Sequence, residues 1–168
     1  MNDATIFYGL KMLHIGALIF WLGPSLGAWW VLRGVRHVYG DNERPSIISH
    51  RLFVNILLVE HVAFVALLLS GAAMAIIFQF YSHAWLQWKL LIIVVLLLPL
   101  EFADIYWGNV KLARLFKVGE NSAEHPEYEK TLHVYHTVLT YSAMVIVPLS
   151  ILMIFYLVIA KPALPVLF

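Results

Sequence analysis

The stretch from Arg51 to Tyr81 constrains the fold more than any other, because it is almost wholly apolar yet carries Glu60 and His61 in its interior. A helix of about 20 apolar residues crosses the hydrocarbon core of a bilayer, so this stretch is long enough to span a membrane with some tilt. Ionisable side chains at such a depth are costly unless they face a bundle interior and find partners there. The sequence therefore predicts a membrane span with a polar site inside it.

The composition of the whole chain also favours a membrane protein. Of its 168 residues, 62% are hydrophobic and 12% charged, and the mean hydropathy is +0.83, outside what a soluble domain of this size shows. A formal net charge of +1 without a basic domain argues against a nucleic-acid partner. Because the chain has no cysteine, any metal or cofactor must be held by other side chains, of which the eight histidines are the most notable.

Four apolar stretches are predicted to be the membrane spans of a single domain that covers residues 1–168. They comprise about residues 7–32, 52–81, 85–110 and 131–160. The start of the chain lacks the positive region of a cleaved signal peptide, so the first span is expected to be retained. Short connections between consecutive spans predict an all-α, antiparallel four-helix bundle.

The basic residues predict the orientation of this bundle. The two longer loops, with their flanks, hold Arg33, Arg36, Arg44, Arg51, Lys111, Arg114, Lys117 and Lys130, and the opposite side holds only Lys11, Lys89 and Lys161. Loops rich in Lys and Arg stay on the cytoplasmic side of a membrane. Both longer loops are therefore expected to be cytoplasmic and both termini to be outside.

Ionisable groups from three spans are expected at similar depths. Counting helix rise from the cytoplasmic ends places His61 and Glu101 at roughly 15 Å, and Asp104 and His136 at roughly 10 Å. Glu101 with Asp104, and His133 with His136, are spaced i,i+3, so each pair shares one helix face. The predicted inner cluster consists of His61, Glu101, Asp104 and His136, with Glu60 and His133 beside it.

A second, smaller polar layer is expected near the outer ends of the helices. His14 of the first span and Lys89 of the third lie at comparable depths from that surface. The other histidines, His37, His50, His83 and His125, are expected to be solvated, and the tryptophans to lie mostly in interfacial belts.

Several chemistries fit the inner cluster. His61 opposite His136 or His133 would suit haem b, whose ligands are imidazoles on facing helices of a bundle. Carboxylates and imidazoles together could instead bind iron, manganese, copper or zinc, and an alternation of such groups could relay protons. Buried polar residues can also serve only to hold helices in register. The candidate metal ligands are His14, Glu60, His61, Glu101, Asp104, His133 and His136.

Short motifs in the first and third spans give a resemblance to a known family. Residues 14–23 read HIGALIFWLG, residues 85–90 read WLQWKL, and the fourth span ends in aliphatic residues before Ala160-Lys161-Pro162. With the four-span layout, these motifs resemble the bacterial membrane protoporphyrinogen oxidases of the HemJ type and the copper-resistance-D membrane domains. The resemblance implies a bacterial inner-membrane protein in which His14 and Lys89 occupy positions associated with haem b binding and activity.

The chain also departs from that family's pattern. Gln87 stands where the family has a His, Glu101 and Asp104 stand in place of a later His, and the Asn-Glu-x-Pro signature is replaced by residues 133–136, HVYH. The leading hypothesis is therefore a haem-b-type membrane redox protein, a divergent oxidoreductase rather than a standard member. The alternatives are a non-haem metal-binding or metal-transport protein and an accessory or assembly subunit of a larger membrane complex.

The hypothesis assigns roles to individual residues. The cofactor-binding residues are expected to be His14, His61, His133 and His136, with Arg33 and Arg36 pairing with haem propionates. The catalytic residues are expected to be Lys89, Glu101 and Asp104, the two carboxylates moving protons coupled to electron transfer. The expected partners are the lipid bilayer and either a membrane electron-transfer protein, a larger complex or a second copy of the chain.

Overall fold

The computed structural model describes residues 2–40, 44–117 and 126–167, and within these ranges the chain is helical with no strand. Four helices are long and apolar enough to cross a membrane, namely Asp3–Tyr39, Arg44–Ile77, Ala84–Leu115 and Lys130–Ala160. They are called the first to fourth helices below, the third together with its continuation to Lys117 and the fourth together with its start at Pro126. The all-α prediction is therefore confirmed.

The third and fourth helices change their winding along their length. The third comprises α-helical segments at Ala84–Ile92, Leu98–Asp104 and Ala113–Lys117, joined by π-helical segments at Ile93–Leu97 and Ile105–Leu112. The fourth comprises α-helix at Pro126–His133, π-helix at Val134–Thr140 and α-helix at Tyr141–Ala160. π-Helical turns are rare and frequently occur at functional sites.

Local chemistry explains where the helices begin and end. Asn2 caps the first helix by accepting a hydrogen bond from the Ala4 amide, and Gly40 ends it with a φ of 85°, a conformation that favours glycine. Gln79, with a φ of 55°, lies between the end of the second helix and a 3₁₀ turn at Phe80–Ser82. Lys161 adopts a φ of 43° after the fourth helix, and Pro162 follows it.

The observed helices differ from the predicted spans at several ends. The first helix continues past residue 32 to Tyr39, and the second begins at Arg44 but ends at Ile77, before residue 81. The third continues into the loop predicted for residues 111–130, as far as Lys117. Residues 41–43 and 118–125, which include parts of both longer loops and His125, lie outside the described residues.

Two buried clusters hold the four helices together, and each draws side chains from all four. One combines the late part of the first helix with the early part of the second, the late part of the third and the early part of the fourth. The other combines the complementary halves. Consecutive helices therefore run antiparallel. The members of the first cluster are Trp29, Leu32, Phe53, Val54, Leu57, Leu112, Leu132, Tyr135 and Leu139, and those of the second are Ala17, Trp21, Ala63, Phe64, Leu67, Ile92, Leu97, Ile154 and Leu157.

The outer surface of this bundle is also apolar. Large hydrophobic side chains are exposed on every helix, for example Ile19, Val62, Val94 and Leu152. Monomeric proteins in water rarely expose apolar surface of this extent, whereas it is expected of helices that face lipid. Some polar side chains are buried inside the bundle, among them His50, His61, Glu101 and His136, and these form the candidate site.

Candidate functional site

The centre of the bundle holds an imidazole between two carboxylates. His61 Nδ1 is 2.7 Å from Glu101 Oε1, and His61 Nε2 is 3.7 Å from Asp104 Oδ2. His61 is 7% exposed and Glu101 9%. Glu101 and Asp104 are three residues apart on the third helix, so both can face the same imidazole. The structure thus brings together three of the residues that the sequence predicted as one cluster.

The first and fourth helices supply hydrogen-bond donors to these carboxylates. Trp21 Nε1 donates to Glu101 Oε2 over 3.4 Å, and the Tyr135 hydroxyl donates to Asp104 Oδ1 over 2.9 Å. Trp21, which is 3% exposed, and Trp29, at 8%, are buried inside the bundle. A buried indole usually needs an acceptor for its N–H, and Glu101 provides one for Trp21.

Glu60 lies beside this cluster on the second helix. Its carboxyl is hydrogen-bonded by the Ser25 side chain and is close enough to Asp104 and Glu101 to interact with them electrostatically. The other carboxyl oxygen, Oε2, is buried without a hydrogen-bond partner among the described residues. We call Glu60, His61, Glu101 and Asp104 the carboxylate cluster.

His136 does not join the carboxylate cluster but pairs with another histidine. The Nε2 atoms of His136 and His50 are 2.7 Å apart, and the two ring centroids are 4.9 Å apart. His50 is fully buried, so the expectation that it is solvated is wrong. The reason is that the second helix begins at Arg44 and carries His50 on its inward face. We call these two residues the histidine pair.

The hydrogen bonds of His50 define its tautomer. Its Nδ1 is 3.1 Å from the carbonyl oxygen of Ser46, one turn earlier in the same helix. A carbonyl oxygen can only accept, so Nδ1 carries the proton in this contact. In the neutral imidazole the lone pair is then on Nε2, which faces His136.

A positively charged cavity adjoins the histidine pair. It has a volume of about 370 Å³ and is lined by Trp29, Leu32, Arg33, Arg36, His37, His136, Thr137 and Tyr141. The Arg33 guanidinium lies over the Trp29 ring, 5.3 Å from its centroid. The structure therefore places both arginines that were predicted to bind propionates next to His136.

The π-helical winding of the fourth helix explains why two adjacent residues serve two sites. Tyr135 is 1% exposed and His136 9%, and both lie in the segment Val134–Thr140. A π-helical turn advances by a smaller angle per residue than an α-helical turn, so neighbouring side chains stay closer to one face. Tyr135 can thus reach Asp104 while His136 reaches His50. Thr140 donates to the Tyr135 carbonyl, satisfying an acceptor in the altered turn.

His133 lies outside both groups. It is exposed, and its Nδ1 is 3.3 Å from the Thr137 hydroxyl on the same helix. The i,i+3 spacing with His136 does not bring it inward, because the winding changes from α to π directly after His133.

The predicted outer layer is built around a hydrogen bond between the first and second helices. His14 Nδ1 is 3.0 Å from Ser70 Oγ, and the Ser70 hydroxyl is itself 2.7 Å from the Ala66 carbonyl oxygen. Because the single hydroxyl proton is donated to a backbone carbonyl, His14 must donate to Ser70. Lys89 of the third helix is close enough to His14 to interact electrostatically.

The candidate metal ligands are divided among these places. His61, Glu60, Glu101 and Asp104 form one group, His136 pairs with His50, His14 contacts Ser70, and His133 is exposed. Within the described part of the chain, no three His, Asp or Glu side chains are arranged to hold one metal ion.

His50, Trp21 and Tyr135 are the functional candidates that sequence reasoning missed. For His50 a signal was available, since it precedes His61 by eleven residues, which is close to three full helical turns and places both on one face. No family model, curated protein or solved structure matches this chain. Its function is accordingly inferred from the geometry of its own residues.

Proposed function

We propose that this chain is a membrane redox protein that binds b-type haem between its second and fourth helices. The observation that carries the proposal is the histidine pair, in which the Nε2 atoms of His50 and His136 face each other across 2.7 Å in the buried interior. Imidazoles on facing helices of a four-helix bundle could hold haem iron. The two rings would move apart to admit it, because their Nε2 atoms are now within hydrogen-bonding distance of each other. The proposed ligands are therefore His50 and His136 rather than the predicted His61.

The surroundings of the pair fit this assignment. A ligating imidazole usually donates its other ring N–H to a carbonyl or carboxylate, and His50 does so to Ser46. Arg33 and Arg36 line the adjoining cavity, where they could bind carboxylates such as propionates. His61, in contrast, has both ring nitrogens directed at carboxylates. The haem would supply one-electron chemistry, and the chain would hold it and exclude water.

A membrane location is part of the proposal. Four long apolar helices with apolar outer faces support it. The basic residues at the ends of these helices favour an orientation in which the histidine pair lies towards the cytoplasm and both termini lie outside. The resemblance to HemJ-type proteins implies that the membrane is a bacterial inner membrane. His14 and Lys89 then form the outer layer, where the resemblance to HemJ-type oxidases places activity. The electron partner would be another membrane protein or a subunit of a larger complex.

Visible spectra of the purified protein test this proposal. In mild detergent, the wild-type protein is expected to show a Soret band in air and sharp α and β bands after reduction with dithionite. His50→Ala and His136→Ala are each expected to reduce bound haem at least tenfold, because second-shell changes alone typically cost 10- to 100-fold in affinity. His133→Ala is the matched control, since this exposed histidine lies on the same helix and should leave the spectrum unchanged.

Other outcomes would favour the alternatives. Full haem occupancy and an unchanged spectrum in both His50→Ala and His136→Ala would exclude this ligand pair. A flat wild-type spectrum with stoichiometric iron, manganese, copper or zinc would favour a non-haem metal protein. A flat spectrum without metal, together with copurification of a larger partner, would favour an accessory or assembly subunit.

A further inference from the structure

The carboxylate cluster contains more acidic groups than its basic partner can neutralise. Glu60, Glu101 and Asp104 surround His61, which among the described residues is the only basic side chain that forms ion pairs with them. Isolated charges in a protein interior are costly unless they are paired and hydrogen-bonded. With all three carboxyls ionised, the cluster would retain negative charge even with a protonated imidazole.

The three carboxyls differ in the donors that reach them. Both oxygens of Glu101 accept hydrogen bonds, one from His61 and one from Trp21. Asp104 accepts a hydrogen bond from Tyr135 at Oδ1 and faces His61 with Oδ2. Glu60 receives only the Ser25 side chain, and no donor among the described residues reaches its buried Oε2. Glu101 and Asp104 thus each accept a hydrogen bond from an indole, phenol or imidazole, whereas one oxygen of Glu60 accepts none from the described residues.

A second atom in the cluster also lacks a partner. His61 is more than nine-tenths buried, and its Nε2 is aimed at Asp104 Oδ2 from 3.7 Å, without a hydrogen bond to any residue that the structure describes. An imidazole with one firm carboxylate contact and one open contact can hold or release a proton with little movement. The cluster can therefore bind or release a proton without losing an existing hydrogen bond.

We propose that the carboxylate cluster is a proton-binding centre of the bundle interior, in which Glu60 gains and loses the proton while Glu101 and Asp104 hold His61. Protonation forms an O–H bond at Glu60 Oε2, the proton coming from the aqueous phase, and removes one negative charge beside Asp104 and Glu101. The titratable groups that face Glu60 are His61 of the second helix and Glu101 and Asp104 of the third, with Tyr135 of the fourth behind them. The first helix contributes Ser25 and Trp21, which do not titrate.

This proposal is independent of bound haem, and the two can fail separately. The test is infrared difference spectroscopy of the full chain in lipid vesicles, recorded over a series of pH values in H₂O and D₂O. The wild-type protein is expected to show a protonated-carboxyl C=O band that changes with pH and shifts in D₂O. Glu60→Gln is expected to lose most of this band, whereas Glu127→Gln, which changes an exposed glutamate, should keep it at full amplitude.

A second variant keeps the test decisive if Glu60→Gln fails to fold, as judged by circular dichroism. Ser25→Ala retains Glu60 but removes its hydroxyl partner, so the midpoint of the pH-dependent band is expected to move. A wild-type band without pH dependence, a band of full amplitude in folded Glu60→Gln, or an unchanged midpoint in Ser25→Ala would each overturn the proposal.

Discussion

Gly71 allows the imidazole of His14 to lie against the second helix. A Cβ atom at position 71 would be 3.0 Å from His14 Cε1 and 3.4 Å from His14 Nδ1. The neighbouring residue, Ser70, accepts the hydrogen bond from that imidazole. The absence of a side chain at Gly71 is therefore what lets the first and second helices share this polar contact.

Gly71→Ala is expected to displace the His14 ring and to weaken its hydrogen bond to Ser70. Overpacking of a close contact typically costs about 1–3 kcal/mol, which here opposes the gain of about 0.5–1 kcal/mol from replacing a helical glycine. Gly16→Ala is the matched control, because a Cβ there would meet nothing within 4 Å. This variant should show only the stabilisation that comes from replacing a helical glycine. Denaturant unfolding in detergent should show Gly71→Ala as the less stable variant. Equal stability of the two would show that the ring contact does not restrict position 71.

At the scale of whole elements, the third and fourth helices pack closely where the π-helical segment Ile105–Leu112 contacts the π-helical segment Val134–Thr140. A Cβ at Gly108, in Ile105–Leu112, would lie 3.2 Å from Tyr135 Cε2 and 3.3 Å from its hydroxyl, and 3.5 Å from Leu57 Cδ1. Tyr135 lies in Val134–Thr140 and donates to Asp104. The altered winding and the missing side chain together position the phenol that joins the fourth helix to the carboxylate cluster.

Gly108→Ala is expected to push Tyr135 away from Asp104 and to lower the free energy of unfolding by about 1–3 kcal/mol. Thermal or denaturant unfolding measures the loss, and Gly34→Ala, where a Cβ would meet nothing within 4 Å, is the control. Tyr135→Phe separates the two effects, since it removes the hydroxyl but keeps the ring. Wild-type stability in Gly108→Ala would mean that the two helices separate at little cost.

For the molecule as a whole, the antiparallel order of the helices places the helix ends that flank the longer loops, at Tyr39, Arg44, Lys117 and Pro126, at one end of the bundle, called the loop end. The start of the first helix and the end of the fourth lie at the other, called the terminal end. The histidine pair and the arginine-lined cavity lie towards the loop end, the His14 contact lies towards the terminal end, and the carboxylate cluster lies between them. In a membrane, this arrangement would put three polar sites at successive depths within an apolar exterior.

Single cysteines can establish the orientation, because the chain contains none of its own. Glu127→Cys lies in the first turn of the fourth helix and Ala163→Cys lies after the end of that helix, and both positions are exposed. In intact bacterial cells, a membrane-impermeant maleimide is expected to label position 163 and not position 127. Permeabilised cells, in which both should be labelled, provide the control. Labelling of position 127 alone in intact cells would reverse the proposed orientation.

The sequence could predict those features that depend on local order along a helix. Four apolar stretches predicted four long helices, and the i,i+3 spacing of Glu101 and Asp104 predicted that both would face one partner. Counting helix rise along each span predicted that these two residues and His61 lie at similar depths in the bundle. The ends of the helices were predicted less accurately. The first helix continues to Tyr39 and the second begins at Arg44, and both of these ends lie beyond the apolar stretches from which the spans were predicted.

By itself, the sequence determined that this chain is helical, that its long helices are apolar, and that its interior ionisable groups require partners. Only the tertiary structure decided which partners they have: His50 for His136, Trp21 for Glu101, and Tyr135 for Asp104. The physical reason is that periodicity fixes the face of each helix on which a residue lies. The rotation and axial shift between helices, which determine the contacts between faces, follow from the simultaneous packing of all four.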